Sequence, residues 1–89
     1  MFVLKHKQKD QFIYKGKHEV SLREIDDCSA YGSSAAARLS LNSRNMKFWL
    51  DHNFNEKPEN FEVLPVRLTL SSKEPIRKRW YYYLPRHSQ

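Results

Sequence analysis

The densest chemistry in the chain lies near its end, in "RKRWYYYLPR" at Arg77 to Arg86. Arginine and lysine hold phosphate, and tyrosine rings stack on unpaired bases, so the stretch carries both halves of a surface for single-stranded nucleic acid. In an extended strand, Ile76, Lys78, Trp80, Tyr82 and Leu84 point one way, while Arg77, Arg79, Tyr81 and Tyr83 point the other. The first set is expected mostly in the core and the second as an exposed ladder. Arg77, Lys78, Arg79, Tyr81, Tyr83 and Arg86 are therefore the candidate binding residues, with nucleic acid or a nucleoprotein complex as partner. The competing readings are a final sheet strand whose cations form a solvated rim, and a surface for an acidic protein.

No other residues assemble a reaction centre. His6, His18, His52 and His87 are scattered, and with Cys28 alone beside them there is no Cys-x-x-Cys or His-Glu-x-x-His spacing for a metal. Asp51 and His52 are adjacent, so on a helix their side chains diverge rather than form an acid–base pair. Cys28 follows Asp26 and Asp27, whereas a nucleophilic thiolate needs cationic neighbours, so an inert thiol is expected. Two glycines in the whole chain leave no glycine-rich phosphate loop. The expectation is a protein that is not an enzyme and takes no cofactor or metal.

With 89 residues the chain has room for one core and one domain, spanning 1–89. A 39% hydrophobic and 13% aromatic composition favours a folded chain over a disordered one. The net charge of +6 gives a surface that attracts phosphate, anionic lipid or acidic protein. A single cysteine fits a reducing compartment, and "MFVLKHKQKD" has too short an apolar run for a signal peptide. The charge is concentrated on strands rather than on an amphipathic helix, which argues against a membrane surface. These features point to the cytoplasm.

The elements that must position these residues follow from periodicity. "FVLKHK" and "FIYKGK" flank the polar "QKDQ" and predict a hairpin, with Phe2 and Leu4 sharing one face and Phe12 and Tyr14 another. In "VSLREI", Ser21 and Glu24 have capping-box spacing between the staple residues Val20 and Ile25, which predicts a short helical turn. Ser33 or Ser34 is placed to cap a main helix running toward Asn53, with Ala35, Leu39, Met46, Leu50 and Phe54 as its apolar stripe. "SLNSRN" favours a break near Asn42 to Asn45. Leu64, Val66, Leu68 and Leu70 alternate as a strand expected to bury against Leu39, Met46 and Leu50, with a bulge near Leu64 and Pro65 to reconcile Phe61 and Val63. The expected fold is α+β: a small antiparallel sheet, built from an N-terminal and a C-terminal hairpin, covered by one main helix.

In layout, "FVLKHKQKDQFIYKGK", "CSAYGSSAAARLSLN" and "FEVLPVRL" resemble small uncharacterised proteins of Gram-positive bacteriophages and prophages. The resemblance implies a viral accessory protein in the cytoplasm of a bacterial host cell, one that modulates replication, transcription or a defence nuclease. It assigns no site residue. The function expected is thus a basic binding module acting on nucleic acid or a nucleic-acid-handling complex. The alternative is an inhibitor of anti-CRISPR or other anti-defence type that binds a host enzyme and no nucleic acid.

Overall fold

A computed structural model describes the backbone of residues 1–70 and 79–83, and side chains as far as Arg67. Strands β1 (Phe2–His6), β2 (Phe12–Lys15) and β3 (Val20–Arg23) come first, followed by a 3-10 turn at Ile25–Asp27. Helices α1 (Ser34–Leu41) and α2 (Arg44–Phe54), a second 3-10 turn at Pro58–Asn60, and strands β4 (Phe61–Leu70) and β5 (Arg79–Tyr83) complete the order. The sheet runs β3-β2-β1-β4-β5 with every neighbouring pair antiparallel. The fold is the expected small α+β arrangement of sheet and covering helices. Among the described residues no helix is long and apolar enough to cross a membrane.

Adjacent apolar residues on the central strands are the signature of a sheet buried on both faces. Leu4, Ile13 and Phe61 pack with Ala37, Leu41, Met46 and Leu50 beneath the helices. Val3, Phe12, Leu64 and Val66 pack on the opposite face, where Cys28, Ile25 and Ala30 cover them. β1 and β2 share the register pair Lys5↔Phe12 and then give way to residues 29–31. Phe2 exchanges both backbone bonds with Tyr31 (2.9 and 2.7 Å), and the Ser29 N–H donates to the Ile13 carbonyl at 3.1 Å. The linker to the helices thereby knits the two strands together where their own ladder stops.

β4 differs from the expectation in an instructive way. Its pairing with β1 runs without a slip from His6↔Phe61 to Phe2↔Pro65, so no bulge occurs there. The two phases of its apolar residues are its two faces: Phe61 and Val63 lie with the helix-side core, Leu64 and Val66 with the other. Leu64 and Val66 consequently do not meet Met46 and Leu50, which lie across the sheet from them. Pro65 is tolerated because Phe2 spends its N–H and C=O on Tyr31, making Phe2↔Pro65 a position where the ladder asks for no donor. The side chains of Leu68 and Leu70 lie outside the described residues.

Two other expectations are corrected. Val20–Arg23 is a strand rather than a helical turn, fully paired with β2 from Phe12↔Arg23 to Lys15↔Val20. Backbone pairing of an alternating Val-Ser-Leu-Arg run outweighs the local cap: the Ser21 hydroxyl accepts from Arg23 Nε at 2.9 Å instead of capping. The 3-10 turn begins only after Glu24, whose side chain makes no cap bond. Arg23 also sits 3.9 Å above the Tyr14 ring, a cation–π contact that holds this edge.

The helix breaks where the polar patch suggested. Ser33 caps α1 by accepting from the Ala36 N–H, and Ser43 caps α2 by accepting from the Met46 N–H. Ser43 also donates its hydroxyl proton to the Ser40 carbonyl at 2.8 Å, so one side chain closes the first helix and opens the second. The break resets the helical phase. Ala37 and Leu41, not Ala35 and Leu39, form the buried stripe of α1, and Leu39 is 74% exposed. Leu41→Ala should accordingly lower the unfolding free energy by about 2–5 kcal/mol in a denaturant titration, whereas Leu39→Ala should change it by no more than about 0.5 kcal/mol. Equal losses at the two positions would contradict this phase.

Candidate functional site

Two buried polar residues meet at the end of β1. His6, on the last position of β1, and Glu56, just beyond α2, are both buried and lie 3.1 Å apart, Nε2 to Oε1. The backbone N–H groups of Gln8 and Lys9 donate to His6 Nδ1 at 3.1 and 3.2 Å. That leaves the ring proton on Nε2, where it is donated to Glu56. Both nitrogens are thus engaged, and neither is left to take a proton from a substrate. Asn60 Nδ2 donates to the same Glu56 oxygen at 2.8 Å, and the Lys9 ammonium lies 3.5 Å from the other.

This cluster ties the β1–β2 loop to the end of α2 beside an open cavity of about 280 Å³ lined also by Lys7, Gln8 and Glu59. Its role is to fix the loop. Cys28 is equally closed to chemistry: burial first, then the charges of Asp26 and Asp27, push its thiol up to about 11, and Sγ donates to the Ile25 carbonyl. Among the described residues no group of three His, Cys, Asp or Glu side chains could hold a metal ion.

Charge and aromatic surface converge elsewhere, on α2. Met46 and Leu50 face the core, so Arg44, Phe48 and His52, spaced four apart, follow one another along the opposite side. Phe48 is 56% exposed. The His52 ring lies parallel to it, 5.3 Å between centroids with 9° between planes. Trp49 meets Phe48 edge-on at 5.4 Å and 79° while packing partly against the core. An anchored indole thus supports an exposed phenyl–imidazole stack.

Grooves flank this ridge on both sides. One, of about 550 Å³, runs between the α1–α2 joint and the start of β4, with Lys7, Arg38 and Lys47 in its walls beside Glu59 and Glu62. The other, of about 230 Å³, lies between the β2–β3 turn and α2, with Lys15, Lys17, His18, Asn45 and Trp49 in its walls.

The hairpin lysines therefore divide by position. Lys5 donates to the carbonyls of His6 and Lys9, and Lys9 joins Glu56, so both serve the loop. Lys7, Lys15 and Lys17 line the grooves. Of the C-terminal candidates, Arg79, Tyr81 and Tyr83 hold backbone register positions opposite Leu70, Leu68 and Val66, and their side chains lie outside the described residues. Arg77, Lys78 and Arg86 lie outside them altogether, as do the side chains of Trp80 and Tyr82.

Phe48 was the residue that sequence reasoning passed over. The available signal was an aromatic lying off the Met46–Leu50 stripe, flanked at four-residue spacing by Arg44 and His52. Comparison with protein-family models, with curated proteins and with solved structures finds no match.

Glu56 and Cys28 yield checkable behaviour. The Asn60 amide, the His6 ring and Lys9 hold the Glu56 carboxyl below the usual glutamate range against the opposing effect of burial. Its ionised form therefore stabilises the fold at neutral pH, and that stability is lost as pH falls through the glutamate range and below. Glu56→Gln should be less stable than wild type at neutral pH and lose less on acidification; an unchanged acid slope would contradict the assignment. Native Cys28 should react with a thiol reagent at pH 8 roughly a hundredfold more slowly than in the unfolded chain, given a thiol at about 11. Equal rates would place the thiol at the surface.

Proposed function

We propose that this protein is a non-enzymatic binding module that holds single-stranded nucleic acid, free or within a nucleic-acid-handling complex, across the outer face of α2. The observation that carries the reading is the exposed Phe48 ring, stacked on His52. A large apolar ring on the side of the helix away from its core contributes little to folding, and it offers a base a flat partner. Cations stand where a backbone crossing that ring would leave its phosphates: Arg44 next to it, Arg38 and Lys47 in one groove, Lys15 and Lys17 in the other.

The net charge of +6 supports the same reading, as do the cations and tyrosines of Arg77 to Arg86 as a second contact region. A viral accessory role in a bacterial cell is the part of the proposal that rests on the resemblance in layout to small phage and prophage proteins. A second reading, an inhibitor that binds a host enzyme and no nucleic acid, is favoured by Leu39, whose 74% exposure adds an apolar contact that nucleic acid does not require.

Equilibrium binding to short single strands across a salt series separates the two. Phe48→Ala should cost about 1–3 kcal/mol of binding and leave the melting temperature within a few degrees of wild type. Lys47→Ala should flatten the dependence of log K on log salt by about 0.7. Absence of oligonucleotide binding at low salt, with Phe48→Ala still abolishing capture of a protein partner, would reject the first reading in favour of the second.

A further inference from the structure

The groove between the β2–β3 turn and α2 differs in kind from its counterpart across the helix. Its lining includes the half-buried Trp49, the exposed Asn45 one helical turn before it, and the exposed Lys15 and Lys17. The carboxylate in the lining, Glu19 just before β3, lies 3.5 Å from the guanidinium of Arg23 at the far end of that strand. A flat apolar wall, an amide carrying both donor and acceptor, and two cations form the complement of a nucleotide: base face, base edge and phosphate.

We infer that this groove is a pocket for one unpaired nucleotide of a bound strand, its base against Trp49, its edge at Asn45 and its phosphate at Lys15 and Lys17. The inference rests on the α2 reading above and adds to it the place where a base is distinguished. At about 230 Å³ the groove has room for a single base with part of its sugar. Stacking on Trp49 requires an open base face, which a paired base within a duplex does not present, so a duplex is excluded. An asparagine amide matches the adjoining donor and acceptor of adenine, N6 and N7. Adenine is therefore the base expected there, and Phe48, one residue before Trp49 and in edge contact with it, takes the neighbouring base.

The test uses the full chain labelled with ¹⁵N, in which the two indole N–H signals are told apart by Trp49→Phe. Adenosine 5′-monophosphate should shift the Trp49 indole and the amides of residues 15–18 and leave residues 24–30 unmoved. Short oligo-dA should shift the same groups and bind at least tenfold more tightly than the mononucleotide, because it also engages Phe48. Oligo-dA should bind about fivefold to tenfold more tightly than oligo-dT, a preference that Asn45→Ala abolishes. Lys15→Ala with Lys17→Ala, both exposed, should weaken mononucleotide and strand alike without unfolding the protein.

Oligonucleotide binding that moves Phe48 and His52 while Trp49 and residues 15–18 stay still would overturn the pocket and leave the α2 reading standing. A mononucleotide as tight as the strand would overturn the assignment to a strand. No binding of any oligonucleotide would overturn both.

Discussion

Val3 and Leu4 are neighbours in sequence on opposite faces of one strand, and neither exposes any surface. That double burial is the constraint from which the rest of the molecule follows. A strand covered on both faces needs a layer on each side and a partner along each edge. The helices supply one layer and the 24–30 segment the other, β4 supplies one edge, and β2 with the inserted Tyr31 supplies the other. β1 is also the shortest route between the two cores, so losing it would leave Phe61 and Val63 on one side and Leu64 and Val66 on the other without a common support.

What this arrangement leaves at the surface is as informative as what it hides. α2 covers its share of the sheet with Met46, Leu50, Phe54 and the inner part of Trp49. Phe48 is surplus to that need, and its contacts run to His52 and to the edge of Trp49 rather than inward. By contrast, the buried pair His6 and Glu56 looks like an acid–base unit by residue type alone, yet its hydrogen bonds are all spent on holding a loop. Chemistry that the fold has already used is unavailable to a ligand, whereas the ring contacts of Phe48 among the described residues lie within α2 itself.

Much of the fold could be read in the sequence, because strands with adjacent apolar residues and serines at helix starts leave local marks. The first hairpin, the Ser33 cap and the break after Asn42 all carry such marks. The strand at Val20–Arg23 did not, because a capping box and a short amphipathic strand can share the same letters and only the presence of β2 alongside decides between them. The phase of β4 suggests a bulge for a related reason: the bulge follows from one-sided burial, and Phe61, Val63, Leu64 and Val66 make sense together only when both faces are covered. Leu39 was assigned to the core by carrying one helical period across a break that resets it. The α2 ridge was missed because its meaning is relative: Phe48 is conspicuous only once Met46 and Leu50 are known to face the other way.

Two regions rich in rings and cations are candidates for contact with the proposed ligand, the α2 ridge and the Arg77 to Arg86 stretch. Ultraviolet cross-linking of the intact chain to a short single strand, followed by mass spectrometry of the attached peptides, distinguishes them in one measurement. The account predicts attachment at Phe48 and Trp49, with Lys15 and Lys17 on peptides next most marked. Attachment confined to Arg77 to Arg86, or none at any aromatic residue, would contradict it.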